Sequence, residues 1–324
     1  MLPQLEREFL QADLAQVRAL LRDTPRDEDP IEYLQFTQRA QELEARLDAL
    51  QATVPHAPAA LALFFGGKPV VGSHGIKAAF GTKAVHYFQK LVSQRFAADE
   101  QGPLSRKGRV PMTEETQLLV TDVVRGSFGF VLQASSESVD AQTSLSDVLD
   151  EVTETLSHLA SADAALSDEA SAAFDNRQLG TLKEFFKLMD DEEASLRLVE
   201  GQRDIELDRA AIERARHRVE ALSIDDRTEE IAGQLVGWTQ FARRFELLRH
   251  DGMELVAGEV AKSVMAPAVQ EGWNPLNKHF IARCKVREVR TRGRHPRLRY
   301  AIVGLDEIPA PQGWEAHRQT GIEG

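Results

Sequence analysis

Apolar residues in this chain recur with a helical period near the start and a strand period near the end, and no architecture of helices alone or strands alone accommodates both. Between Ile31 and Val54 the residues Phe36, Ala40, Leu43, Leu47, Leu50 and Val54 alternate intervals of four and three, which lines them up along one side of a helix. Its start is marked by Asp29 as a cap, Pro30 where a missing N–H costs nothing, and Glu32 three positions after the cap. Upstream, Leu10, Leu14, Val17 and Leu21 repeat the spacing, so residues 1–56 are expected to form a helical hairpin, with 23–29 as its turn. Such a seam packs either on the body of its own chain or on a second copy, as in a coiled coil. In the second case Phe36, Leu43, Leu47 and Leu50 carry self-association.

Residues 57–226 read as a mixed α+β domain. Leu61–Phe65 is a strand candidate, residues 66–69 (Gly-Gly-Lys-Pro) a turn, and Ile76, Ala78 and Phe80 alternate as a further strand; Leu118–Val124 and Phe128–Leu132 supply two more. Thr82 is placed to cap a helix carrying Val85, Phe88, Val92 and Phe96, and 99–111 reads as an exposed loop. Gly126 and Gly129 beside aromatics in a strand read as sites of close backbone approach. Helical stripes follow at Leu145, Val148, Val152, Leu156 and Leu159, and at Leu179, Leu182, Phe186 and Met189. A hairpin turns at Glu200 and Gly201, and Asp208 caps a helix whose Arg209 and Glu213 form an i,i+4 pair.

After Asp226 five strands are expected, at 230–238, 243–249, 253–260, 280–291 and 297–305, with Asp251-Gly252 as the clearest turn. Five short, mostly consecutive strands over 227–310 resemble a small SH3-like or OB-like β-barrel, because closing the sheet removes its edges. Residues 311–324 are left as a flexible tail. The fold class is α+β.

One cysteine, Cys284, cannot form an internal disulfide, and Glu6, Glu8 and Asp13 interrupt any apolar leader in the first twenty residues. The longest apolar stretch, residues 57–65, is far short of the roughly 20 residues of a membrane span. A cytoplasmic setting with no membrane contact is therefore expected. The net charge of −12 is unevenly spread: residues 135–230 hold 10 Lys/Arg against 25 Asp/Glu, while 231–324 hold 14 against 10.

The basic surplus concentrates between Lys278 and Tyr300. Nine cations, Lys278, Arg283, Lys285, Arg287, Arg290, Arg292, Arg294, Arg297 and Arg299, face one acid, Glu288. At strand period, Arg283, Lys285 and Arg287 share one face and Ala282, Cys284 and Val286 the other, with Arg297 and Arg299 able to join the basic face across the hairpin. Such a stripe suits a phosphate backbone or an acidic protein surface. It also suits a solvated sheet face, or docking on the chain's own acidic middle. Base-stacking aromatics nearby are limited to Phe280 and Tyr300.

A second anion site is expected at Lys68, Lys77, Thr82 and Lys83, where glycine turns and a helix start expose backbone N–H groups. Gly66-Gly67-Lys68 is followed by Pro69, not the Ser or Thr of a P-loop. Nine histidines never fall at metal-ligand spacing, and one cysteine cannot begin a CxxC site, so no metal or cofactor is expected. The acids at 190–193 read as a solvated turn. These features favour a binding or assembly protein of bacterial type over an enzyme: an accessory subunit holding nucleic acid or another polyanion on its basic barrel face. The alternatives are a protein–protein scaffold with the acidic middle as interface, and an enzyme with a site near Lys68 to Lys83.

Overall fold

The computed structural model describes residues 3–24, 29–52, 59–72, 74–105, 107–124, 128–135, 139–163, 174–201, 203–252, 254–270, 273–291 and 296–311. Arg106, Arg125, Gly126, Ser127, Met253, Arg292, Arg294 and the segment 312–324 lie outside them. Seven helices and twelve strands are described, giving a mixed α+β fold. The chain divides into two compact units: Met1–Ser93, Met112–Ser167 and Thr181–Val219 form the first, and Gln94–Pro111, Asp168–Gly180 and Glu220–Gly324 the second.

In the first unit, α1 (Pro3–Asp23) and α2 (Pro30–Ala52) make the hairpin. The Asp29 side chain accepts the Glu32 N–H at 2.9 Å, the bond that capping requires. Leu10 and Leu14 of α1 bury against Ala40 and Leu43 of α2, with Val17, Leu21 and Leu47 around them. The seam residue Leu43 is thus enclosed within a single chain; Phe36 and Leu47 are half-buried beside it, and of the Leu50 side chain nothing is described.

Five antiparallel strands follow in the order β4-β5-β1-β6-β7, namely β1 (Ala60–Gly67), β4 (Leu118–Val124), β5 (Phe128–Ala134), β6 (Ala194–Glu200) and β7 (Arg203–Leu207). The central β1 is buried along its middle because helices cover the sheet. On one face Phe65 meets Phe80 of α3 (Ala78–Gln101) edge-on at 5.3 Å. On the other, Ala62 and Phe64 pack with Val124, Val131 and Val199. Gly129 pairs with Phe64, and a Cβ there would stand 2.4 Å from the Phe64 ring: the close approach expected at this glycine. The helix caps behave as their residues dictate. Asp208 accepts the Ala211 N–H at 2.7 Å and opens α6 (Arg209–Ala221). The stripes of α4 (Val139–Ala160) and α5 (Asn176–Asp191) are buried at every expected position.

Three local expectations are overturned. Ile76, Ala78 and Phe80 do not continue a strand: β3 is only Gly75–Ile76, paired with β2 (Val70–Val71), and α3 begins at Ala78. Gly81 N–H bonds to the Lys77 carbonyl at 2.9 Å, so the helix is already turning before Thr82, which sits inside it. Arg209 also leaves Glu213, binding Glu193 at 2.6 Å instead.

In the second unit β8 (Leu222–Thr239), β9 (Arg244–Arg249), β10 (Leu255–Val260), β11 (His279–Thr291) and β12 (Arg297–Ile308) close a ring in the order β10-β12-β11-β8-β9. All neighbours are antiparallel except β10 and β12, which run parallel. A short helix, α7 (Lys262–Gln270), connects β10 to β11; its Pro267 and brief apolar pattern hid it from the periodicity. The ring is filled by Leu235, Phe245, Leu247, Phe280, Ala282, Cys284, Val286 and Ile302. Trp273 stacks edge-on to Phe280 at 5.5 Å. A Cβ at Gly258 would lie 2.0 Å from the Tyr300 carbonyl, so glycine is what lets β10 and β12 approach.

Candidate polyanion-binding cleft

The alternation of β11 divides its side chains sharply. Ala282, Cys284 and Val286 are wholly buried in the ring, and burial pushes the Cys284 thiol up to about 12, leaving it an inert core residue. Arg283, Lys285 and Arg287 therefore stand on the opposite face, and register places Arg299 of β12 directly across from Arg287.

Those cations differ in their surroundings. Arg287 is 7% exposed; its Nε donates to Asp226 at 3.4 Å across the β8 pairing, a long contact for the one ion pair it makes among the described residues. Burial draws its guanidinium below the ordinary arginine value, opposed by the charges of Asp175 and Asp226. Lys285 donates to the Pro103 carbonyl and is likewise lowered by burial. Lys278 pairs with Glu307 at 3.0 Å, Arg290 with Glu288 at 2.8 Å, and Arg283 reaches Asp306 at 3.9 Å. Arg297 and Arg299 are exposed and make no ion pair among the described residues. The basic stripe is thus part-neutralised by the unit's own carboxylates, with Arg299 beside the buried Arg287 as its open end.

Around that end lies a cleft of about 370 Å³, formed wholly within the second unit. Strands β10, β11 and β12 make its floor, and the last turns of α3 with Gly102 and Pro103 make a wall. Six cations line it, Arg95, Arg243, Arg244, Lys285, Arg287 and Arg299, against two acids, Asp99 and Glu259. Asp99 is already engaged, bound by Arg243 and by Lys262 at 2.7 Å. Burial alone would raise its carboxyl; the hydrogen bonds and charges of Lys262 and Arg243 outweigh that and hold it below the usual carboxylate range. The lining is left with an excess of positive charge in a concave, part-desolvated place, the arrangement that attracts an anion.

Sequence reasoning found three of the six, Lys285, Arg287 and Arg299. Arg95 it placed only within the helix carrying Val85 to Phe96, and Arg243 and Arg244 it read only as the start of a strand. The missed signal was a local one, two arginines where the short connection from β8 enters β9, just after Phe241, which is fully exposed. Conversely, Phe280 is wholly buried in the ring and presents no face for stacking.

The second expected anion site does not assemble. Lys68 binds Glu193, and Lys77 binds Glu192 at 2.7 Å; Thr82 lies within α3, and Lys83 points from its exposed side. The acids at 190–193 are not a merely solvated turn either, since Arg216 bonds both Asp190 and Asp191 at 2.7 Å. The cations expected to hold an external anion instead hold the acids that join α5 to β6. Elsewhere in the second unit His250 and His279 touch through Nε2 and Nδ1 at 2.9 Å, both lowered chiefly by burial. Among the described residues no group of three or more His, Cys, Asp or Glu gathers as a metal site would, and no helix is long and apolar enough to cross a membrane. Compared with protein-family models, with curated proteins and with solved structures, the chain finds no match in any of the three.

Proposed function

We propose that the five-stranded ring is an OB-type barrel and that the protein is a nucleic-acid or polyanion-binding accessory subunit, working through the cleft at the open end of the β11–β12 basic face. Two features support the barrel type over an SH3-like one: the ring runs first-second-third-fifth-fourth in chain order, and a helix stands between its third and fourth strands. The observation that carries the ligand class is the lining of six cations against two acids, which leaves five cations against Glu259 once Arg243 is paired with Asp99. Burial lowers both Lys285 and Arg287, and the Arg287 charge lowers Lys285 further, so a phosphate entering the cleft offsets the desolvation that folding imposed on them. The exposed Arg244, Arg297 and Arg299 then extend the contact along a backbone.

The test is anisotropy titration of a labelled mixed-sequence oligonucleotide, comparing the wild type with the combined Arg244→Ser, Arg297→Ser and Arg299→Ser variant, whose altered residues are all exposed. The reading expects a loss of at least about tenfold in affinity at low salt. Equal binding by the two proteins, or no binding by either, contradicts it.

A further inference from the structure

Phe241 is the largest unexplained expense of exposed apolar surface in the second unit. Its relative exposure is 104%, so folding gains nothing from it, and it stands in the connection between β8 and β9 whose Arg243, with Arg244 at the start of β9, lines the cleft. An aromatic ring held in water two residues from the cleft-lining Arg243 offers one recognition mode that charge alone does not, stacking on a flat π-face. Duplex nucleic acid keeps its base faces stacked on each other and presents its phosphates on a stiff convex surface. An unpaired strand presents both a bendable phosphodiester chain and open base faces. The cleft is concave and small, with Tyr300 part-buried in its lining, and suits a stretch of bendable backbone better than a rigid cylinder.

We infer that the ligand of this cleft is single-stranded nucleic acid, its phosphodiester backbone seated against Arg244, Arg287 and Arg299 and a base stacked on Phe241. The inference rests on the polyanion reading above and narrows it. It assigns Phe241 a contact role that the period of the sequence did not indicate, because residues 240–243 form a turn outside either flanking strand.

The experiment measures the full chain against a labelled single strand of about 15 nucleotides and the duplex of the same length, within the usual site size of such a fold. Proteins compared are the wild type, Phe241→Ala, Phe241→Trp and Arg299→Ser. Expected is a clear preference for the single strand. Phe241→Ala should weaken the single strand by about fivefold to a hundredfold while leaving the duplex unchanged, and Phe241→Trp should restore it. Arg299→Ser should weaken both. If single strand and duplex bind equally and Phe241→Ala moves neither, the inference is overturned while the polyanion reading stands. If neither nucleic acid binds, both fall. A stoichiometric protein partner lost on Phe241→Ala, without nucleic-acid binding, reassigns the exposed ring to a protein contact and also overturns the inference.

Discussion

Glu200, at the end of β6, is 6% exposed and its carboxyl is pushed up to about 8, first by burial and then by the charge of Asp150. An unfolded glutamate releases its proton near 4.5, whereas the folded one keeps it until about 8. Between those values the folded chain binds more protons than the unfolded one, so stability falls as pH rises across that window. The Glu200→Gln variant carries no such titration. Urea unfolding at pH 5 and pH 9 should show the variant gaining on the wild type by on the order of 3 kcal/mol over that interval; an unchanged difference would refute the assignment. Nothing in the sequence marked Glu200 beyond its place in a turn, because its burial comes from α4, which the chain reaches about fifty residues earlier. Gly129 was the opposite case. A glycine flanked by aromatics in a strand signals close approach wherever it occurs, and the Phe64 ring is what approaches.

At the level of elements, the parts legible in advance were those whose causes are local. Asp29 and Asp208 cap the helices they precede, and the apolar stripes of α4 and α5 are buried as their spacing requires. The failures were long-range. Lys68 and Lys77 looked like open cations because Glu192 and Glu193 lie more than a hundred residues away. Likewise, the wall that turns three strand cations into a cleft comes from α3. Asp99 is the residue on which that wall depends, since it holds both Arg243, in the turn just before β9, and Lys262, at the start of α7. Its carboxyl lies below the usual 3.8, so its contribution is fully present at neutral pH and is lost as pH falls through the folded value. Asp99→Asn should therefore cost about 2 to 4 kcal/mol at pH 7 and less at pH 3, below the unfolded value. A cost independent of pH, by denaturant unfolding at both values, would show that the carboxylate charge is not what secures the turn.

For the whole molecule, net charge and local charge have opposite signs. A net charge of −12 suggests repulsion from any polyanion, yet the acids concentrate before residue 231 and many are consumed in ion pairs, while the cleft keeps its positive excess. Local field decides contact, and net charge decides only what happens beyond about one Debye length, near 10 Å at 0.1 M salt. The most direct measurement is the salt dependence of oligonucleotide binding by the wild type and by the combined Arg244→Ser, Arg297→Ser and Arg299→Ser variant. A phosphate-binding cleft predicts a linear fall of log affinity with log salt for the wild type. The variant's slope should be shallower by about 2, from roughly 0.7 per lost phosphate contact on a single strand. A wild-type affinity insensitive to salt, or two parallel lines, would contradict it.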